Sequence, residues 1–296
     1  MSREKIMRFE SLDQFSEMEI LDAHNEAFSD YQVPMQLSLD TFQYFNHRRG
    51  VRYDLSIGTV EGNKLIGFIL NAVDFWTGKL TAYDCGTGVV PKFRQKGIGD
   101  QMFKALLPVL KEKDIEQYLL EVIKTNTAGI NLYKKRNFLI TREFDCLNAE
   151  RKTILGEFQK LQISSSLNDY EIQKLEKIDW DVARGFWEFL PSWQNSELSI
   201  QRVKDSFNYL GSFYQKNLVG YIVYEPHGSI TQLAFHADHR TQNIGCNLVN
   251  RMLLESSNID TFNIINVDRR DKYLIAFLNK IGFESFISQY EMILKI

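Results

Sequence analysis

The feature that most narrows what this chain can fold into is an internal repeat. Arg94-Gln-Lys-Gly97-Ile-Gly99 returns 146 residues later as Arg240-Thr-Gln-Asn243-Ile-Gly245, and Tyr133-Lys-Lys-Arg-Asn137-Phe138 returns at an offset of 145 as Leu278-Asn-Lys-Ile-Gly282-Phe283. Two landmarks that keep their separation to within one residue predict two copies of one domain. A length of 296 residues agrees, being about twice the usual domain of ~100–150 residues. The first copy is placed at residues 1–147, a linker at 148–168 around Ser164-Ser-Ser166, and the second copy at 169–296.

Hydrophobic periodicity gives both copies the same order of elements. In the first, helices are predicted at 15–28 and 39–47, and a meander of strands at 55–60, 65–75 and 80–90. A helix at 99–113 follows, carrying Met102, Phe103, Leu106, Leu107 and Leu110 at helical spacing. Then come a strand at 118–123, a helix at 128–136 and a closing strand pair at 138–147. The second copy reads as a helix at 182–189, a hairpin at 213–224, a strand at 230–235, a helix at 245–255, a strand at 262–267, a helix at 272–280 and a strand at 286–294. The fold class is therefore α+β, each domain a mixed, mostly antiparallel sheet flanked by helices. The 153–161 part of the linker also has a helical pattern.

Composition removes several function classes. With 44% hydrophobic and 25% charged residues, the chain lacks the signature of a disordered protein. The balance of 35 basic and 38 acidic residues, net −3, supplies no field for drawing in nucleic acid or anionic lipid. Cys85, Cys146 and Cys246 are odd in number and widely spaced, which suits a reducing compartment rather than a disulfide framework or a structural zinc site. The first ten residues contain no apolar core of signal-peptide length, and no stretch approaches the ~20 apolar residues of a membrane span. The reading is a soluble, cytoplasmic protein with no nucleic-acid or membrane partner; the oligomeric state is left open.

The segment Val89-Val90-Pro91-Lys92-Phe93-Arg94-Gln95-Lys96-Gly97-Ile98-Gly99 passes from a strand into a helix through glycines that permit unusual dihedrals. Amides at a helix start are unpaired and sit at the positive end of the macrodipole, so such a loop can ring a phosphate or diphosphate. Taken alone it is equally an ordinary tight turn. It is neither G-x-G-x-x-G nor a P-loop.

The run from Pro91 to Gly99, followed by Leu120-Glu121-Val122, Asn126, Leu132-Tyr133 and Asn137-Phe138, resembles the GNAT acyl-coenzyme A N-acyltransferase superfamily. The likeness is sharpest over 89–138. It implies two tandem domains of that fold and an acetyl-coenzyme A co-substrate. Main-chain groups around Gly88 and Val89 would then pair with the pantetheine arm, where the fourth strand parts from the fifth. Amides of Gln95, Lys96, Gly97, Ile98, Gly99 and Asp100 would hold the diphosphate, with Arg94 setting the loop and Asn126 bonding pantetheine or ordering the strand end. The same resemblance makes Tyr133 the acid toward the departing thiolate, and makes Glu121, five residues before Asn126, the base toward the amine. No covalent intermediate and no metal is implied. The implied activity is acetyl transfer to a primary amine on a small molecule or peptide; a non-catalytic acyl-coenzyme A sensor is the alternative, and a longer acyl or aminoacyl donor a third.

Structural readings stand beside these. Tyr133 also fits a core aromatic, Glu121 a solvated edge carboxylate, and Lys134-Lys135-Arg136 a solvated face or a contact to the ribose phosphate. The Asp30-Tyr31-Gln32-Val33-Pro34 loop either covers the acceptor or is a turn around a buried tyrosine. In the second copy Gly97 becomes Asn243, Glu121 becomes Asn266, Asn126 becomes Asp271 and Tyr133 becomes Leu278. Base and acid are lost, and Asn243 should crowd the loop, so this copy reads as degenerate. The aromatics from Phe186 to Trp193 read as core or as a cover over a groove, and His236-Ala-Asp-His239 is a weak metal pattern.

Overall fold

The computed structural model describes residues 7–31, 33, 35–161, 170–240 and 243–296. In the first copy the elements run β1 (Met7–Ser11), α1 (Glu17–Ala27), α2 (Leu39–Arg49), β2 (Ile57–Glu61), β3 (Lys64–Trp76), β4 (Lys79–Val89), α3 (Ile98–Glu112), β5 (Gln117–Ile123), α4 (Thr127–Lys135) and β6 (Leu139–Glu150). After α5 (Arg151–Lys160) the second copy runs β7 (Tyr170–Leu175), α6 (Trp180–Ala183), α7 (Glu197–Arg202), β8 (Asn208–Tyr214), β9 (Asn217–Tyr224), β10 (Ser229–Phe235), α8 (Ile244–Glu255), β11 (Thr261–Asp268), α9 (Lys272–Lys280) and β12 (Glu284–Lys295).

Local chemistry accounts for the helix ends. Ser16 and Glu19 form a reciprocal capping box at the start of α1, and Ser38 caps α2, which stops at Gly50 with φ 82°. The β3–β4 hairpin turns through Thr77 and Gly78, both left-handed, as a two-residue turn matched to strand twist requires. Along α3 the periodic residues Met102, Phe103, Leu106 and Leu110 are fully buried, each contributing about 2 kcal/mol of apolar burial. Phe103 meets Tyr118 and Phe138 edge-on at 5.1 and 5.5 Å.

Compact packing divides the chain into unit 1, running to Thr141 and including Glu291–Ile296, and unit 2, Arg142–Tyr290. The repeats and the compact units thus differ by their last strands. In unit 1 the sheet order is β1-β2-β3-β4-β5 followed by the end of β12, and the Ile296 amide donates to the Glu116 carbonyl at 2.9 Å. In unit 2 the order is β12-β6-β11-β10-β9-β8-β7, with β6 antiparallel to β11 from Phe144↔Asp268 to Glu150↔Thr261. A domain end at 147 therefore corresponds to no break in the chain's structure: 148–150 complete β6, and 151–160 form α5 rather than a linker. Ser164-Ser-Ser166 lies outside the described residues. Two other expectations change. The closing strand pair is the single strand β6, and the helix predicted at 182–189 is confined to α6 and a 3-10 turn at Arg184–Phe186.

Two features of unit 1 position its site. Asn71 on β3 is fully buried; it donates to the Leu55 carbonyl at 2.6 Å and accepts from the Tyr118 hydroxyl at 2.5 Å, tying β3 to β5 beneath the cleft. Gly97 precedes α3 at φ 75°, ψ 12°, and Asn243 precedes α8 at φ 54°, ψ 15°. Asn243 thus takes the same left-handed conformation as Gly97, one that asparagine tolerates better than most residues. Asn71→Ala should lower unit 1 stability by about 2 kcal/mol, since the Tyr118 hydroxyl loses its buried acceptor; a urea midpoint reads this. A Cβ at Gly97 has open space around it, so dihedral strain sets the cost. Gly97→Val should cost about 1–2 kcal/mol in the same measurement, and Gly97→Asn well under half of that.

Candidate active site

In unit 1 the parallel strands β4 and β5 pair only at Thr81↔Gln117, Ala82↔Tyr118 and Tyr83↔Leu119. Beyond these the ladder stops, so Asp84–Val89 and Leu120–Ile123 are not paired with each other; we call the region between them the cleft. Against β3 the register shifts between Leu70↔Gly86 and Asn71↔Asp84, so Cys85 is an extra residue on β4. A bulge of this kind bends the strand and re-aims its side chains. Gly88 is needed on the same strand: a Cβ there would stand 2.8 Å from the Phe68 ring and 3.0 Å from the Ala27 Cβ.

The loop from β4 into α3 is held from behind. Arg94 donates from Nε to the Val89 carbonyl at 3.0 Å and from Nη2 to the Ala27 carbonyl at 2.6 Å. Its two Nη atoms also grip Asp30 in a bidentate pair at 2.8 and 2.7 Å. This fastens the loop to the carboxyl end of α1, where a cation also complements the helix dipole. Gln95 and Gly97 both adopt positive φ, 62° and 75°, and α3 begins without a side-chain cap. The first-turn amides of a 15-residue helix are left for an outside acceptor.

The remaining sequence candidates take definite places. Asp100 accepts from the Arg136 guanidinium and pairs with Lys104 at 3.3 Å, which holds its carboxyl below the usual range despite burial. Arg136 is therefore part of the α3–α4 packing and not a solvated cation, whereas Lys134 and Lys135 are exposed. Asn126 is the N-cap of α4, its Oδ1 accepting from the Gly129 amide at 3.0 Å. Its Nδ2 reaches the Tyr31 hydroxyl at 3.5 Å, and the Tyr31 ring meets Phe28 edge-on at 5.2 Å. Asp30 serves Arg94, while Gln32 and Pro34 lie outside the described residues.

The two chemical candidates come from consecutive elements, β5 and α4. Glu121, half-buried on β5, accepts a hydrogen bond from the Tyr83 hydroxyl of β4 at 3.1 Å. Tyr133 projects from α4, buried, and its hydroxyl donates to Asp84 at 3.3 Å. Burial and the adjacent Asp84 push the Tyr133 phenol well above its ordinary value. Asp84 was not singled out from the sequence. Its signal was Asp84-Cys85-Gly86-Thr87, an Asp whose carboxylate accepts from the amide two residues on, here Gly86 at 2.9 Å, and from Thr87 Oγ1 at 2.7 Å.

Unit 2 repeats the strand arrangement with different side chains at the candidate positions. β10 and β11 pair only at Ser229↔Asn263 and Ile230↔Ile264 before the ladder stops. Trp187, Phe189, Tyr221, Phe235 and Tyr273 line the opening together with Arg240. Trp193 is core and Phe186, also buried, borders the opening, so the aromatic stretch divides between core and lining. At the position of Tyr133, Leu278 is fully buried. At that of Glu121, Asn266 accepts from Gln289 at 2.8 Å and donates to Ser192 at 3.3 Å. Asp271 caps α9 from the Leu274 amide at 2.9 Å, as Asn126 caps α4. His239 meets the Tyr170 hydroxyl at 2.9 Å, and the described residues contain no grouping of three metal-ligating side chains. Nor, among them, is any helix long and apolar enough to cross a membrane.

Comparison with known proteins agrees with this geometry. The model of the acetyltransferase (GNAT) family matches residues 18–138. A tandem GNAT protein from the clavulanic acid biosynthesis pathway superposes with a TM-score of 0.70 at 12% identity, covering 98% of each chain. A GCN5-related N-acetyltransferase from Sphaerobacter thermophilus gives 0.67 at 12% identity over 98% of this chain and 95% of that one. A putative acetyltransferase from Pyrococcus horikoshii gives 0.64 at 14%, over 100% and 91%. No curated protein matches the sequence. Residues 18–138 thus match the acetyltransferase (GNAT) family model, and the chain as a whole has the fold of tandem GNAT proteins.

Proposed function

We propose that unit 1 transfers an acetyl group from acetyl-coenzyme A to a primary amine by direct attack, and that unit 2 is a degenerate copy. The observation that carries this reading is the cleft between β4 and β5, which opens beside an uncapped helix start and has Glu121 and Tyr133 beside it. In the proposed complex the pantetheine arm takes the place of the missing ladder partner along Gly88 and Val89, and the diphosphate rests on the amides from Gln95 to Asp100. Arg94 supports that loop from outside the anion site, its guanidinium being committed to Asp30, Ala27 and Val89.

For chemistry, Glu121 takes the proton lost by the attacking amine, directly or through one water, while the Tyr83 hydroxyl fixes the carboxylate's orientation. A β4 amide faces the developing oxyanion, and Tyr133 gives its proton to the departing thiolate. Holding amine and thioester together supplies much of the rate. The acceptor is read as a small-molecule or peptide amine. Leu278 and Asn266 remove acid and base from unit 2, whose Asp271 carboxylate also opposes an anionic ligand.

The test is thiol release from acetyl-coenzyme A with a panel of amines. Tyr133→Phe and Glu121→Gln should each lower kcat by about 10²-fold, the scale of general acid or base catalysis, with coenzyme affinity within threefold of wild type. Wild-type turnover in both variants removes these roles, and tight coenzyme binding with no turnover on any amine favours the sensor reading. Calorimetry should give one coenzyme per chain; a site retained only in unit 2 overturns the proposal.

A further inference from the structure

The acid assigned to Tyr133 leaves one buried group of the cleft unused, the carboxyl of Asp84. Asp84 and Tyr133 are each only 8% exposed, and the phenol hydroxyl points at the carboxylate at 3.3 Å. The other bonds of the carboxyl come from its own strand: the Gly86 amide on one oxygen, and the Thr87 hydroxyl on the oxygen that also faces Tyr133. The bulge at Cys85 sets this arrangement, by turning the Asp84 side chain toward α4. The titratable groups facing Asp84 are Tyr133 from α4 and Tyr118 from β5, with Cys85 beside it on β4; Tyr31 acts in turn on Tyr133. Among the described residues, burial and the hydrogen bonds from Thr87, Gly86 and Tyr133 set its ionisation.

We propose that Asp84 is a positioning residue behind Tyr133, orienting the phenol and returning a proton to it after the phenol has protonated the departing thiolate. The inference rests on the reading of unit 1 as an acetyltransferase whose acid is Tyr133. The proton account closes. The Tyr133 O–H bond breaks as the S–H bond of the free thiol forms; the phenolate oxygen then takes the carboxyl proton of Asp84. The carboxylate left behind keeps the Gly86 amide and Thr87 hydroxyl as donors, and regains its proton from water as the product thiol leaves.

Acid strengths explain why the phenol needs support. A thiol titrates near 8.5, while Tyr133 is pushed well above 10, so proton transfer from the phenol alone runs uphill. Burial pushes the Asp84 carboxyl up to about 6, against the opposing pull of Thr87, Gly86 and Tyr133. A carboxyl with that value is the stronger acid of the two and is still protonated in about a tenth of molecules at neutral pH. Because this state is lost as pH rises, the relay predicts that kcat falls on the alkaline side of Asp84's titration in the complex.

Two measurements on the full chain test this. Carbon-13 NMR of labelled aspartate, assigned with Asp84→Asn, needs no acceptor. The Asp84 carboxyl should titrate near 6, and higher in Tyr133→Phe and Thr87→Val, each of which removes a donor to the ionised form. Titration at 4 or below overturns the proposal. With the best acceptor of the amine panel, Asp84→Asn should lower kcat at least tenfold with KM for acetyl-coenzyme A within threefold. The Asp84→Asn/Tyr133→Phe double variant should be no slower than Tyr133→Phe, and Thr87→Val should move the alkaline limb of kcat to higher pH. Asp84→Asn at wild-type kcat, or losses that multiply in the double variant, overturn the relay while leaving Tyr133 as acid. Full turnover in Tyr133→Phe instead strikes the acid assignment itself.

Discussion

Everything at the candidate site follows from one constraint on backbone hydrogen bonding. Two parallel strands that pair for three residues and then stop pairing leave main-chain groups of each that the other does not satisfy. Such groups are costly when dry. A fold that keeps them in a cleft therefore keeps a place for an extended ligand able to replace the lost ladder. The uncapped start of α3 adds a set of amides at one end of that cleft. The cleft and the anion-receptive turn are one arrangement, since the loop that leaves β4 is the loop that enters α3.

The second copy separates what this backbone needs from what chemistry needs. The left-handed residue before the helix is retained, as glycine in one copy and asparagine in the other. The cap of the later helix is retained too, as Asn126 or Asp271, because both side chains present an oxygen to the first-turn amides. Neither structural task requires Glu121 or Tyr133, and those are the positions where unit 2 carries a locked amide and a core leucine. The two copies therefore share the backbone solution and its caps and differ at the two candidate side chains.

Much of this was legible in the sequence, for identifiable reasons. The helix entry could be read because left-handed dihedrals demand particular residues, and α3 because its five apolar positions keep one face. Asn126 and Tyr133 were picked out by the resemblance to the family, which says nothing of their partners. Asp84 reads as a polar residue in a strand, and nothing in a period-two pattern announces the bulge at Cys85 that turns it inward. Arg136 reads as one of three surface cations, and only the approach of α4 to α3 makes it the partner of Asp100. The short α6 fell where aromatic residues at near-helical spacing are core and lining, with Pro191 close behind them.

The ends of the repeats were the least legible, because strand pairing is decided by which edge is available and not by sequence proximity. A linear repeat invites a cut after its last strand. β6 instead satisfies its main chain against β11, more than a hundred residues away, and the final residues of β12 complete the edge beside β5. Each compact unit therefore contains residues of both repeats, and the stability of the strand carrying Glu121 depends on a segment at the far end of the chain. The segment that closes unit 1 lies within the second repeat, so the two repeats cannot be parted by a single cut in the chain.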